Sequence, residues 1–520
     1  MGVEERNKFD VIVIGAGHNG LTAAALLAKA GRRVVVLEKR NVTGGLGACE
    51  EFHAGYRTAG VLHDTAGVRH RLIKDLNLKR YGFELEKDPP AVFVPQRQGK
   101  GLLLHHDPEK AAAEISAFSR KDAERYREYR RFINRVRGAI NDLVDNIPPD
   151  ITRVDKRSDL WALFKKGRAL RKLNRRDAVE LMRIGPMSVA DWLDDWFETD
   201  LLKALLAGPA VHGAFMGPRS PGSAINLLLW ECRKGPSIKG GAGFLVTALE
   251  GAARAAGVEI RTRAEVERIV VSGGRVEGAL VGKQEHISAP LVAASCDPKQ
   301  TFLELLDGGL TSERLEHRMI HFRSQGTTAK VDLALNARIE MAGRPGERVE
   351  FVRTGEDLDQ LEKAFDAVKY GRCSDTPVLD IYMPTFSNPG FAPRGHSVLS
   401  VLVHFAPYEL KNKWSDHERK ALGERVLDTL CAYAPALREV VVSCRVQSPV
   451  DLEARYRVTG GHIYHGEHAL DQLLVRPVPE CVGYATPVDG LYLCGSGSHP
   501  GGGITCAPGA LAAGAILDNS

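Results

Sequence analysis

The chain has 520 residues, of which 44% are hydrophobic and 26% charged, and its mean hydropathy is −0.18, so it is neither disordered, fibrous nor polytopic. Lysine and arginine exceed aspartate and glutamate by only five, with no basic tail, which gives no sign of a nucleic-acid partner. Nine cysteines without a CxxC pair argue for a reducing compartment and against both structural zinc and a redox-active disulfide, and no metal site is expected.

The first ten residues are charged and lead directly into a strand, and no apolar stretch of ~18 residues follows anywhere. A cytoplasmic protein without signal peptide or transmembrane helix is expected, at most associated with a membrane surface. Asp10 to Ile14 (DVIVI) is a short apolar run. Gly15-Ala16-Gly17-His18-Asn19-Gly20 follows, then LTAAALLAKA with helical character, closed by Gly31. A β-branched run, RVVVL, then ends in Glu38. Each part suits dinucleotide binding: Gly15 permits the tight turn, Gly17 lets backbone approach a pyrophosphate, and Gly20 allows close helix–strand packing. Glu38, with Lys39 beside it, lies where a carboxylate accepts from the ribose hydroxyls. FAD and NAD share this fingerprint. The glycine pair Gly44-Gly45 suits a second backbone approach to phosphates and favours FAD, while the lone Cys49 sets aside the disulfide-reducing flavoenzymes.

Asp107-Pro108 is a cap and first-turn pair, and Tyr126, Tyr129, Ile133, Val136, Ile140 and Leu143 recur at the spacing of a long amphipathic helix. Between Leu160 and Ile184, aromatic and leucine anchors alternate with lysines and arginines. This is read either as a peripheral membrane contact on anionic lipid or as the solvated face of a core-packed helix. A helix over 243–256 and β-runs at 258–260, 266–271 and 276–281 follow, and similarity to FAD proteins with such a hairpin implies that it rejoins the dinucleotide sheet and that Val266 offers its backbone to the adenine. Strands over 378–383 and 398–405 with a helix over 416–433 suggest a second sheet bearing helices. At the C-terminus, GLYLC feeds a second glycine loop, GSGSHPGGGI, and an Ala-rich helix. If FAD lies extended, that helix start faces the isoalloxazine.

Taken together, the chain resembles the phytoene desaturase-like FAD oxidoreductases, in the branch of carotenoid ketolases and pyridine nucleotide-disulphide oxidoreductase domain-containing proteins. The carrying segments are VIVIGAGHNGL, LEKRNVTGG, FSRKDAERY, RVLDTLCAYAP, IYHGEHALDQLLVRPVP and GLYLCGSGSHPGGGI. The resemblance implies an α/β fold: a Rossmann-like, amine-oxidase-type FAD domain assembled from 1–75, 225–300 and 455–520, interleaved with an α+β substrate domain from 76–224 and 301–454. It implies FAD contacts at Gly15, Gly17, Asn19, Gly20, Glu38, Lys39, Gly44, Gly45, Val266, Gly495, Gly502, Gly503 and Ile504. A lipophilic small-molecule substrate, polyene-like or a natural product, would pass hydride to flavin N5. The family usually runs Met-Ser-Leu-Asp-Gln where this chain has Glu467-His468-Ala469 before Leu470, and Arg-Asn where Ala510-Leu511 stand. His465, Asp471 and His499 are candidate catalytic groups, each also readable as a loop tie. Besides a desaturase, the reading leaves open a carotenoid ketolase or isomerase, an amine oxidase, and a non-catalytic regulatory flavin-fold protein.

Overall fold

The computed structural model describes residues 7–148, 173–473 and 475–519. Five strands form an all-parallel sheet in the order Leu491–Leu493, Leu291–Ala294, Val11–Ile14, Val34–Glu38, Glu259–Thr262. Alternate residues of these strands enter different cores, as a period of two requires when both faces are covered. Val11, Val13, Val34 and Val36 pack against the helices His18–Lys29, Ala242–Ala255 and Ala507–Asn519. Ile12, Ile14, Val35 and Leu37 pack on the other face with Val266, Ile269 and Ala279. The helix His18–Lys29 ends as expected, with Gly31 at φ +90° and the Arg32 amide reaching back to the Leu27 carbonyl.

The 266–281 hairpin does not rejoin the parallel sheet. It forms a separate antiparallel sheet with Glu285–Ser288, and only Glu259–Thr262 and Leu291–Ala294 on either side of it return to the dinucleotide sheet. Antiparallel neighbours joined by tight turns have no crossover helix to carry them into a parallel array.

A seven-stranded mixed sheet runs Val441–Gln447, Thr328–Leu335, Ser397–His404, Val378–Tyr382, Phe351–Arg353, Val92–Val94, Leu102–Leu104. The helix Asp416–Cys431 covers part of one face through Leu422, Val426 and Leu427. A helical core is built around Arg120–Val144, which buries Tyr126, Tyr129, Ile133, Val136 and Ile140 on one stripe, each worth ~1.5–3 kcal/mol when fully buried. Ser119 caps that helix by accepting from the Asp122 amide, and Asp107 caps its predecessor by accepting from the Glu109 and Lys110 amides.

Position 225 falls inside the helix Ser223–Arg233, whose Leu227, Leu228 and Cys232 belong to the helical core. Past position 300, Phe302, Leu305, Leu315 and Met319 still pack beneath the parallel sheet. Segment 160–172 of the basic stretch lies outside the described residues. Its remainder, the helix Arg175–Ile184, is tied down by a bidentate Arg135–Asp177 pair and exposes Val179 and Met182. No helix among the described residues is long and apolar enough to cross a membrane.

Candidate functional site

The two glycine clusters meet. The Asn19 side-chain amide donates to Ser496 Oγ at 3.1 Å, His18 makes a backbone hydrogen bond with Gly503, and a Cβ at Gly509 would lie 2.1 Å from the Asn19 carbonyl oxygen. Two cavities flank this junction and share Leu62 in their walls.

The smaller cavity is lined by Gly15, Gly17, His18, Asn19, Glu38, Lys39, Gly45, Val266 and His465. Gly15 sits at φ +94°, where only glycine is unstrained. A Cβ at Gly20 would stand 2.1 Å from the Gly15 carbonyl oxygen, whereas one at Gly17 would meet no atom within 4 Å. Gly20 therefore serves packing, and Gly17 leaves open backbone at a helix N-terminus. The Glu38 carboxylate is buried at the strand end, accepting from the Ala16 and Arg40 amides at 2.8 and 2.9 Å. Lys39 pairs with Glu265 at 2.9 Å across the rim. Gly44 abuts Val246 and Ala48, so of the glycine pair only Gly45 borders the cavity. His18 Nε2, Asn19 Oδ1 and His465 Nδ1 are buried without a hydrogen-bond partner. Open backbone at Gly17, a carboxylate at the second strand end and three polar atoms without protein partners fit an extended dinucleotide.

The larger cavity encloses about 1860 Å³ of empty space, part of it open to solvent. One wall is the C-terminal loop with Gly502, Gly503, Ile504 and Thr505. Against it, His468 accepts from the Gly502 amide at 3.1 Å and stacks on Tyr464, ring centroids 5.0 Å apart. A Cβ at Gly502 would collide with Tyr464 at 2.3 Å, so Gly502 is required by packing and Gly503 keeps the open backbone. Leu205, Leu206, Pro209, Ala210, Leu229 and Leu402 line the apolar walls.

Polar groups enter this cavity from the second sheet. Asp380 receives a bidentate Arg353 fork at 2.6 and 3.1 Å and lies 3.0 Å from His212, which stacks on His404. Burial pushes the Asp380 carboxyl up, but Arg353 and the two histidines outweigh it and hold it well below the carboxylate range. His212, Asp380 and His404 have metal-ligand spacing, yet the guanidinium already occupies the carboxylate. His63 borders the cavity, and its Nε2 is 2.9 Å from Ser400 Oγ, which also bonds Lys330 Nζ. Lys330 is held in turn by Asp332 at 2.9 Å. Burial, then the Lys330 charge, drive the His63 pKa well below its usual value, so its imidazole is neutral.

The sequence candidates divide accordingly. His465 lies in the smaller cavity, where burial, His462 and Arg476 lower its pKa to about 3. Asp471 sits on a surface turn, paired with Arg323 at 2.6 Å, and borders neither cavity. His499 is buried beneath the loop, its carbonyl accepting from Tyr484 at 2.7 Å, and its side chain borders neither cavity. A Cβ at Gly495 would lie 2.5 Å from the Ser295 carbonyl oxygen, and the residue lines neither cavity. Sequence reasoning does not find His63, Arg233, Lys234, Arg353 and Asp380. No motif marks them, because strand register and a helix end bring them together.

Burial, then His465, lower His18 from 6.5 to about 4. The unfolded chain takes up this proton near pH 6.5 and the folded chain near 4, so stability is lost as pH falls. Urea unfolding of the apoprotein should show about 2 kcal/mol lost through this group between pH ~7 and ~4.5, and His18→Asn should flatten that slope.

The model of the family described as flavin containing amine oxidoreductase matches residues 20–516. Pyridine nucleotide-disulfide oxidoreductase domain-containing protein 2 of Rattus norvegicus is 33% identical over 97% of this chain and 93% of its own length. A limonene dehydrogenase component from Castellaniella defragrans is 28% identical over 97% of this chain and 93% of its own length. Among solved structures, a triple mutant of putrescine oxidase superposes with a TM-score of 0.61 at 15% identity, covering 99% of both chains, a likeness of fold alone. With cradle, fold and family in agreement, the chain belongs to the flavin-containing amine oxidoreductases and is an FAD-dependent oxidoreductase.

Proposed function

We propose that this protein dehydrogenates a lipophilic, polyene-like substrate by hydride transfer to the flavin. The observation that carries the reading is the large apolar-walled cavity that opens directly on the Gly502-Gly503 loop. Similarity to a protein named as part of a limonene dehydrogenase, whose named substrate is a hydrocarbon, supports the same substrate class. FAD, when bound, supplies the hydride acceptor. Glu38 and Val266 would hold its adenosine end, Gly15, Gly17 and Gly45 the phosphates, and Gly503 and Ile504 the ring end. The sheet and helices of the second unit supply the walls that orient the substrate and keep water out.

Forming C=C requires a proton acceptor as well as a hydride acceptor. His63 fills that role: it borders the cavity, is neutral, and its Nε2 is tied through Ser400 to Lys330. An acceptor of this kind contributes about 10²–10⁴-fold, so His63→Gln should keep its FAD and reduce it at least ~100-fold more slowly. Anaerobic bleaching of the visible flavin band tests the assignment. Limonene or phytoene should bleach the wild-type protein and putrescine should not. Bleaching by putrescine alone would replace this reading with an amine oxidase.

A further inference from the structure

The larger cavity carries two cations, and of its own carboxylates only Asp64, which attracts both, is not paired with another cation, so a positive charge is left over. Arg233, in the last turn of the helix Ser223–Arg233, and Lys234, its C-cap, both line the wall beside Trp230 and His106. Among the described residues, Arg233 donates through its Nε to the Leu229 carbonyl at 3.3 Å. Lys234 places its ammonium 4.6 Å from the centroid of the Trp230 ring. Among the described residues neither forms an ion pair.

Among the described acidic neighbours, all but Asp64 are paired with another cation, and Asp64 can offset only one of the two charges. Asp64, at the rim, accepts from the Trp230 indole and the Ala66 amide. Glu231 is fully buried on Arg130, and Asp145 holds Arg69 at 2.8 Å. Asp380 is forked by Arg353. Capping the helix end explains why basic residues stand there, but not why their charged ends face a hydrophobic cavity. A half-buried guanidinium and ammonium that share one carboxylate leave a positive charge that is costly to keep. A ligand anion offsets that cost, the guanidinium binding a carboxylate or phosphate by two parallel hydrogen bonds.

We infer that the substrate is an amphipathic lipophile whose chain occupies the apolar part of the cavity and whose terminal oxyanion, carboxylate or phosphate, is bound by Arg233 and Lys234. This rests on the lipophilic-substrate reading and sharpens it. A substrate amine would face the same two cations and be repelled, which separates this site from an amine-binding one.

The test is equilibrium binding to the holoprotein, read by the fluorescence of parinaric acid, its methyl ester and the corresponding primary amine. The acid should bind about 10- to 100-fold tighter than the ester, the range of a charge-assisted hydrogen bond, and the amine weakest. Arg233→Gln/Lys234→Gln should abolish the acid's advantage and leave ester binding and FAD content unchanged. Arg233→Lys should keep most of the advantage, which shows that charge rather than a folding defect is being measured. Displacement of the acid by dodecanoate and by dodecyl phosphate identifies which oxyanion the site prefers. Equal binding of acid and ester would overturn the anion site and leave the lipophilic reading standing. If no probe binds, both fall. If the amine binds tightest, the anion site is wrong and the amine reading returns.

Discussion

Gly17→Val should give a folded, colourless protein. The residue has φ −69° and ψ 171°, ordinary extended backbone for any amino acid, and a Cβ there meets no protein atom within 4 Å. Apoprotein stability should stay within ~0.5 kcal/mol of wild type, as for a substitution that neither clashes nor opens a cavity. What the isopropyl group fills is the space through which a phosphate must reach the helix N-terminus, so FAD affinity should fall at least ~10³-fold, about 4 kcal/mol. Gly20→Val provides the contrast. Its Cβ would sit 2.1 Å from the Gly15 carbonyl oxygen, a backbone atom that cannot step aside. That variant should lose fold and cofactor together, at a cost above ~4 kcal/mol. Titration of FAD by flavin fluorescence, alongside urea unfolding of each apoprotein, separates the two. A yellow Gly17→Val protein with wild-type affinity would show that the phosphates lie elsewhere.

Glycines made the cofactor half of this molecule legible. A residue without Cβ announces a positive φ, a close approach or space kept open for a ligand; Gly15 shows the first, Gly20 the second, and Gly17, with neither, leaves open space at the helix N-terminus. What glycine does not reveal is which neighbour approaches. At Gly44, Gly495 and Gly502, read in sequence as facing the cofactor, a Cβ would also meet Val246, the Ser295 carbonyl and Tyr464. The substrate half was hardly legible at all. His63 and Ser400 are 337 residues apart, and Arg353 and Asp380 pair through the register of two antiparallel strands, so no local pattern could join them. Asp471 shows the converse, nearness in sequence without nearness in space. It is six residues from His465 in sequence, but the 3-10 turn Leu470–Gln472 carries its side chain out to Arg323.

Arg476→Met should be the most damaging single change outside the glycines. The guanidinium is fully buried and is satisfied by four backbone carbonyls: Glu467 at 2.8 Å, Gln472 at 3.1 Å, Gly466 at 3.1 Å and Gly497 at 3.4 Å. Burial pulls its pKa down only to about 10, so it stays cationic at neutral pH, with the Glu467 carboxylate as the favourable charge nearby. Three of those carbonyls belong to the loop that carries Tyr464 and His468, and the fourth to the loop that ends in Gly502 and Gly503. One side chain thus joins a wall of the substrate cavity to the flavin-facing turn. Methionine has similar reach but no donors, and would leave buried acceptors unpaired at ~1–3 kcal/mol each, a total loss of at least ~3–5 kcal/mol after relaxation. Arg476→Lys should recover only part of it, because one ammonium cannot reproduce the spread of a planar fork. Because the same bonds hold both loops, FAD release and loss of secondary structure should coincide on heating in wild type and separate in Arg476→Lys, with FAD leaving first. An Arg476→Met protein that unfolds within ~0.5 kcal/mol of wild type would mean the two loops are held by their hydrophobic contacts alone.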